Sequence, residues 1–454
     1  MPKLQSILLG TLCVTLASCE RIQPENCEGL VMDNSIHING VDVSWTTTGS
    51  TTLSIAYTID GGEAITRVIS DSKQTDHTGR LYGLPALAEI AYTATADSGE
   101  DVTTCEGSLT TGNLPPGLPQ ISLTVHDPDQ ISSERYLVGT AMQESDSYPF
   151  IIDREGEVVW YWMSDEIASV PQVEVASDGR GMLIGTFSFD RSIDTGAMIR
   201  VDLFGEIIES IPMTNGHHFF EQLSDDTFAY PSIDVREWGS PKGNTDVVGD
   251  AVVEVTVLDD GEDRVEVFNI WDWREPEVHE FFWGNFYPQG SDWSHLNSIH
   301  TLPDDQLIIS LPFLSTALVI ERSTGSVLRE FSPEEYTFVN SGLVEAHDLR
   351  LIDDGQTLTA ISHYPAVTIA IEYEIDEEAK TLTPVWTHDA GIRSNFMGQF
   401  HRLENGNRLI NYGSAGIIQE VTESGEVVWE LQSELGSWFG NSELIDDVYE
   451  AGGI

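Results

Sequence analysis

Histidine can be a free base or a conjugate acid near neutral pH, so histidines recurring at one structural phase are natural candidates for chemistry. His218 stands five residues before Leu223 in HHFFEQLSDD, and His347 stands five residues before Ile352 in HDLRLIDDG. His295 stands seven residues before Leu302 in DWSHLNSIHTLPDD, and Asn297 follows it by two. Spacing by two puts both side chains on one face of an extended segment. Three imidazoles at one place can be hydrogen-bonded structural groups, zinc ligands, or a nucleophile with acid–base partners. His295 is out of phase with the other two, which disfavours a regular metal site. His217, His300, His363 and His401 lie near the same segments, and each taken singly reads as structural.

Positioning these residues requires a repeated element, and the sequence contains one. A strand, a tight polar turn and a second strand occur six times: residues 150–162 (FIIDREGEVVWYW), 199–211, 253–271, 319–331, 371–386 and 418–431. A second hairpin, with an Asp, Asn or Gly turn and an apolar second strand, precedes five of them. Two hairpins per repeat make four strands, and four-stranded units recurring about every fifty residues are the mark of a β-propeller. The expected fold is all-β: a six-bladed propeller over residues 121–454. Ile121–Val125 and Tyr136–Thr140 are expected to close the ring where the first repeat lacks an inner hairpin. In such a ring, equal phase means equal height on the channel axis, so His218 and His347 should face the channel at one level, with His295 nearer the mouth.

Residues 28–112 read as a separate small β-sandwich of immunoglobulin or fibronectin type. Trp45 is expected in its core, and Tyr92 after Leu84-Pro85 is expected to form a tyrosine corner. Residues 113–120, with Pro115-Pro116-Gly117, form a linker. The chain opens with Lys3, an apolar run too short to span a bilayer, and Leu16-Ala17-Ser18-Cys19. That pattern predicts a lipoprotein signal over 1–18, lipidation of Cys19, and a polar tether over 19–27. The predicted location is the periplasmic face of the outer membrane, or the cell surface, held by lipid alone. Of four cysteines, Cys27 and Cys105 remain, and in an oxidising compartment they are expected to pair. The formal charge of −54 excludes nucleic acid as a partner and any long-range attraction of anionic substrates.

The segments Gly216-His217-His218, Gly249-Asp250, Asp292–Ile299, Ala346–Ile352, Ile371–Lys380 and Asn405–Val421 resemble, in order, those of the bacterial arylsulfotransferase family. The resemblance implies a β-sandwich followed by a six-bladed propeller. It also implies sulfuryl transfer from an aryl sulfate ester to a phenol without a dissociable cofactor; a homodimer is a separate expectation for the chain. It assigns His347 as the nucleophile that becomes a sulfohistidine, His218 and His295 as its partners, and Asn297 as a substrate-binding residue. One position departs from the pattern: Phe313 stands where the family places an arginine on the sulfate. Arg236, Arg350 and Arg393 are the candidates to replace it. Without a replacement, the alternative is a non-catalytic lipoprotein that binds a small aromatic ligand or an envelope partner.

Overall fold

The computed structural model describes residues 21–22, 27–34, 39–143, 146–164, 170–186, 196–240, 243–258, 261–276, 287 and 289–451. The expected export signal and Cys19 lie outside them. The described residues divide into two compact units, within Met1–Pro116 and Gly117–Ile454. Among them no helix is long and apolar enough to cross a membrane.

In the first unit, alternation in Val41–Ile59 places Val41, Val43, Trp45, Leu53, Ile55 and Tyr57 on one buried face. This strand pairs along its length with Ile65–Leu81, through register shifts between Thr46 and Ser54. Its two halves pair separately with Leu30–Asp33 and Glu89–Asp97. The sequence predicts two facing sheets. The hydrogen bonds instead run through a single six-stranded network, because this long bulged hairpin belongs to both halves. Tyr92 does not make the expected corner: its hydroxyl is buried without a hydrogen-bond partner among the described residues. Its ring fills the space beside Gly107, where a Cβ would collide with it. Arg21–Ile22, read as tether, pairs with Met32 and Asp33. The Cys27 and Cys105 sulfurs are bonded, with Cα atoms 5.9 Å apart, and tie the segment before Leu30 to the strand Val102–Thr110.

The second unit is a succession of six antiparallel sheets with four main strands each. Their inner-edge strands are Ser437–Ile445, Gln172–Val175, Glu221–Ser224, Ser298–Leu302, His347–Ile352 and Gln399–Arg402. All six contribute side chains to one cavity of about 390 Å³. Closure uses both ends of the chain. Ile121–His126 is the outer strand of the last sheet, paired with Val427–Ser433. The inner strand of the first sheet is Ser437–Ile445, from the C-terminal side, paired with Tyr136–Gln143. The sequence predicts closing roles for the two N-terminal strands but gives no signal for Ser437–Ile445.

Tryptophans that end outer hairpins fasten the first sheet to the second, the fifth to the sixth and the sixth back to the first. Trp160 Nε1 donates to the Leu203 carbonyl at 3.0 Å, Trp162 to Gly205 at 3.1 Å, and Trp386 to Glu423 at 3.0 Å. Each acceptor lies in the outer turn of the following sheet. At the closing seam Trp429 donates to Arg154 O at 3.0 Å, and the Arg154 guanidinium lies 4.3 Å from its ring. The fully buried Glu420 carboxylate receives Arg154, Ser132 N at 2.6 Å and Asn407 Nδ2 at 2.6 Å. These donors come from the first sheet, the segment after the outer strand, and the last sheet. Truncating an indole buried this completely removes packing and the seam hydrogen bond together. Trp429→Ala should therefore cost about 3–5 kcal/mol in denaturant unfolding. A loss below about 1 kcal/mol would show that the seam does not govern stability.

Candidate active site in the channel

His218, His295 and His347 lie close enough to oppose one another's protonation. His347 opens its inner strand, and His218 sits three residues before Glu221–Ser224. The His218 and His295 rings stand edge to face with centroids 4.7 Å apart. Asn297 Nδ2 donates at 3.2 Å to the carbonyl of Ala346, the residue before His347. His218 and His347 keep partial exposure, whereas His295 and Asn297 are buried behind them. Two of these positions carry backbone strain: His218 at φ 54° and His295 at φ 56° occupy the left-handed region that ordinary side chains avoid. Strain of this kind persists only where surrounding contacts over-determine it, and it collects at functional sites.

The over-determining contacts are buried carboxylates. His217 Nε2 lies 3.0 Å from Asp250 Oδ1, and His217 Nδ1 lies 2.7 Å from His218 Nδ1. Asp250 also accepts from the Ser294 hydroxyl and, at 2.8 Å, from Leu296 N. Against the cost of burial, these bonds hold Asp250 below the usual carboxylate range. A carboxylate accepts only, so His217 presents Nε2–H to Asp250 and its Nδ1 lone pair to His218. His218 then donates from Nδ1 and keeps its basic lone pair on Nε2. His295 Nδ1 meets Asp292 Oδ2 at 2.6 Å, a second carboxylate–imidazole pair. Burial pushes Asp292 upward despite the pull of His295.

His347 is fixed differently. Its Nδ1 lies 3.0 Å from the Glu345 carbonyl, which can only accept, so the ring's hydrogen is on Nδ1 and the lone pair on Nε2. Burial and the neighbouring His363, whose ring is 5.0 Å away, push the His347 pKa well below the ordinary imidazole range. His363 donates from Nδ1 to Thr368 Oγ1 at 3.1 Å, and burial pushes its own pKa down to about 4. Burial, followed by repulsion from His295, His217 and His347, likewise pushes His218 well below its usual value. His347, His218 and His363 are therefore neutral near pH 7.

Phe313 stacks on His295, with centroids 4.5 Å apart and planes 10° from parallel. Two of the three arginines named as replacements, Arg236 and Arg350, are held by carboxylates of their own. Arg236 pairs with Asp234 at 2.7 Å and lies over Trp271. Arg350 clamps Asp348 at 2.9 Å, facing the cavity further along the channel. Arg393 is exposed. Among the described residues, no group of three or more His, Cys, Asp or Glu is arranged to hold a metal ion.

The sequence reading quoted Asp250 and Asp292 only within family segments and read His217 and His363 as structural, so it gave none of the four a supporting role. A signal existed for two of them. Asp250 interrupts an apolar strand (VVGDAVVEV), and Asp292 precedes His295 by three. His217 was legible only as the neighbour of His218.

Two family models, both described as arylsulfotransferase, match residues 122–337 and 277–434. Comparison with curated proteins found no match. Among solved structures, a Bacteroides caccae protein of unknown function is 15% identical, covering 69% of this chain and 100% of its own, with a TM-score of 0.43. Streptogramin B lyase is 12% identical, over 72% of this chain and 97% of its own, with a TM-score of 0.36. The Dos1 propeller is 12% identical, over 69% and 72%, with a TM-score of 0.35. Likenesses this weak add nothing to the strand pairing itself. The two models together span residues 122–434 and include every candidate imidazole, and the chain belongs to the arylsulfotransferase family.

Proposed function

We propose that the protein transfers a sulfuryl group from a phenolic sulfate ester to a phenol through a sulfohistidine at His347. The observation that carries this reading is the fixed tautomer of His347. Its hydrogen is tied to Glu345 O, its lone pair is on Nε2, and its low basicity keeps that pair free at neutral pH.

In the first half-reaction His347 Nε2 attacks sulfur. The N–S bond forms, the S–O bond to the aryl group breaks, and the electron pair leaves with the phenolic oxygen. The His218–His295 pair carries one proton between two touching rings, because two positive charges at that distance repel. Asp292 stabilises the proton on His295. That proton goes to the departing oxygen and is recovered from the acceptor phenol when its oxygen attacks the sulfur of sulfohistidine. Donor and acceptor thus use one set of groups in opposite directions, which is ping-pong transfer. Asn297 spends one N–H on Ala346 O and has a second to offer a sulfuryl oxygen. A single observation favours the other reading, a non-catalytic protein that binds an aromatic ligand. Phe313 stacks where the family has arginine, and it supplies a flat apolar wall but no oxyanion donor.

Incubation with p-nitrophenyl sulfate and a phenol should release nitrophenol and leave one SO₃ unit on the His347 peptide. His347→Ala should lower turnover by on the order of 10³ or more and abolish the adduct. Wild-type protein that forms neither product nor adduct with any aryl sulfate would leave the aromatic-binding reading in its place. Since the His347 pKa is lowered, its attacking form persists as pH falls through the ordinary imidazole value of 6.5. The rate of adduct formation should therefore stay level to below pH 6.5, and an acid limb centred at or above that value would contradict the assignment. We further propose that the chain is anchored by lipid at Cys19. Cys19→Ser should move it from the membrane to the soluble fraction, and unchanged membrane association would refute the anchor.

A further inference from the structure

Superposing the inner strands on their turns reveals a second ring. The residue two before the aligned turn positions Ile445, Ala176, Leu223, Leu302, Ile352 and Leu403 is Glu443, Glu174, Glu221, His300, Arg350 and His401 in successive sheets. All six line the cavity of about 390 Å³. The acids come from three consecutive sheets and the bases from the next three, so the ring is polarised across the channel. Arg350 is three residues along its strand from His347, beyond a bulge between the two. The cavity also touches Glu134 and the exposed Glu404, at the turn end of the strands, away from where His347 begins its strand.

Part of the ring is settled internally. Arg350 Nε and Nη2 hold Asp348 Oδ1 at 3.0 and 2.9 Å, and His300 Nε2 lies 2.8 Å from the same oxygen. Glu221 accepts from Thr301 N at 2.8 Å and faces His300 at 3.5 Å. The rest is not settled. Glu174 Oε2 receives Gln172 Nε2 at 3.3 Å, but its Oε1 is buried with no partner among the described residues. Glu443 is beside it, accepting from Val175 N at 3.2 Å. Burial, with Glu443 and Glu221 nearby, pushes Glu174 well above the carboxylate range. Across the ring, His401 Nε2 is buried without a partner among the described residues. The Arg350 guanidinium has N–H groups beyond the two that clamp Asp348. Glu174 Oε1 on one side and His401 Nε2 on the other are thus left without a hydrogen-bond partner among the described residues, with Arg350 as the cation facing the acids. A primary ammonium offers three donors to paired carboxylates, and a carboxylate suits a guanidinium beside an imidazole. The volume is at the small end of ligand pockets.

We propose that this cavity is a binding site for a small zwitterion of amino-acid type. Its ammonium lies between Glu174 and Glu443, and its carboxylate lies against Arg350 and His401. The site is separate from the imidazoles around His347 and does not depend on sulfuryl transfer.

Calorimetric titration of the full chain tests this with glycine, γ-aminobutyrate and ε-aminocaproate, against butylamine, butyrate and calcium. At least one zwitterion should bind about tenfold or more tighter than either singly charged analogue. Glu174→Gln, which resembles the neutral acid in shape, should keep the thermal unfolding midpoint and weaken that binding by about tenfold. Glu443→Gln should do the same, and His347→Ala should bind as wild type does. The proposal fails if no zwitterion binds at millimolar concentration, or if butylamine binds as tightly. It also fails if Glu174→Gln and Glu443→Gln, with unfolding midpoints kept, bind as wild type. Calcium bound tightly and lost in Glu174→Gln would make this a metal site and overturn it.

Discussion

Every functional residue of the second unit depends on ring closure. A four-stranded sheet leaves two edges, and a row of sheets hides them only if the last meets the first. The seam is made by Glu420, a fully buried carboxylate that would be prohibitively costly unpaired and that receives donors from both sides of the join. Trp429 packs over the same arginine and donates to its carbonyl. The seam decides how far each inner strand stands from the axis. Imidazoles from different sheets can be in contact, as His218 and His295 are, only if that radius is small.

The same logic recurs at the axis on a smaller scale. Side chains that converge on a channel crowd one another, and crowded imidazoles resist protonation. Asp250 and Asp292 answer that crowding from behind, each fully buried and each fixing one ring through hydrogen bonding. The left-handed backbone at His218 and His295 is the cost of aiming those rings inward from the end of a strand. His347 needs no carboxylate, because a backbone carbonyl fixes its tautomer without adding charge. A nucleophile held by a neutral acceptor stays weakly basic and ready to attack, whereas a ring held by a carboxylate can take up a proton. Under the proposed transfer, the two kinds of support correspond to its two roles, nucleophile and proton carrier.

Much of this was legible because repetition turns sequence position into spatial position. Aligning turns placed His218 and His347 at one level before any coordinates, and the ring of Glu174, Glu221, His300, Arg350, His401 and Glu443 follows from the same alignment. What escaped has physical reasons. Ser437–Ile445 carries no hairpin of its own, since its partner Tyr136–Gln143 is some three hundred residues earlier, and pairing over that distance leaves no local pattern. The continuous sheet of the first unit depends on bulges in Val41–Ile59, which composition does not reveal. The role of Asp250 was not legible because its partner His217 precedes the inner strand of the same sheet, more than thirty residues earlier.

Phe313 bears most directly on the chemistry. A guanidinium at its position would bring two directed donors and a positive charge to the transferring group, and a phenyl ring brings neither. Stacked on His295, the ring covers one face of that imidazole and lowers the local dielectric, which strengthens the His295–Asp292 pair and any hydrogen bond from Asn297. Under the proposed chemistry the sulfuryl charge then rests on an imidazolium backed by Asp292 and on a side-chain amide, instead of on an arginine. That arrangement relies on the proton carried by the His218–His295 pair. Where an arginine keeps its charge at any pH, this site would lose its cation when that proton leaves. The substitution therefore couples binding of the transferring group to the same proton that the leaving phenol receives.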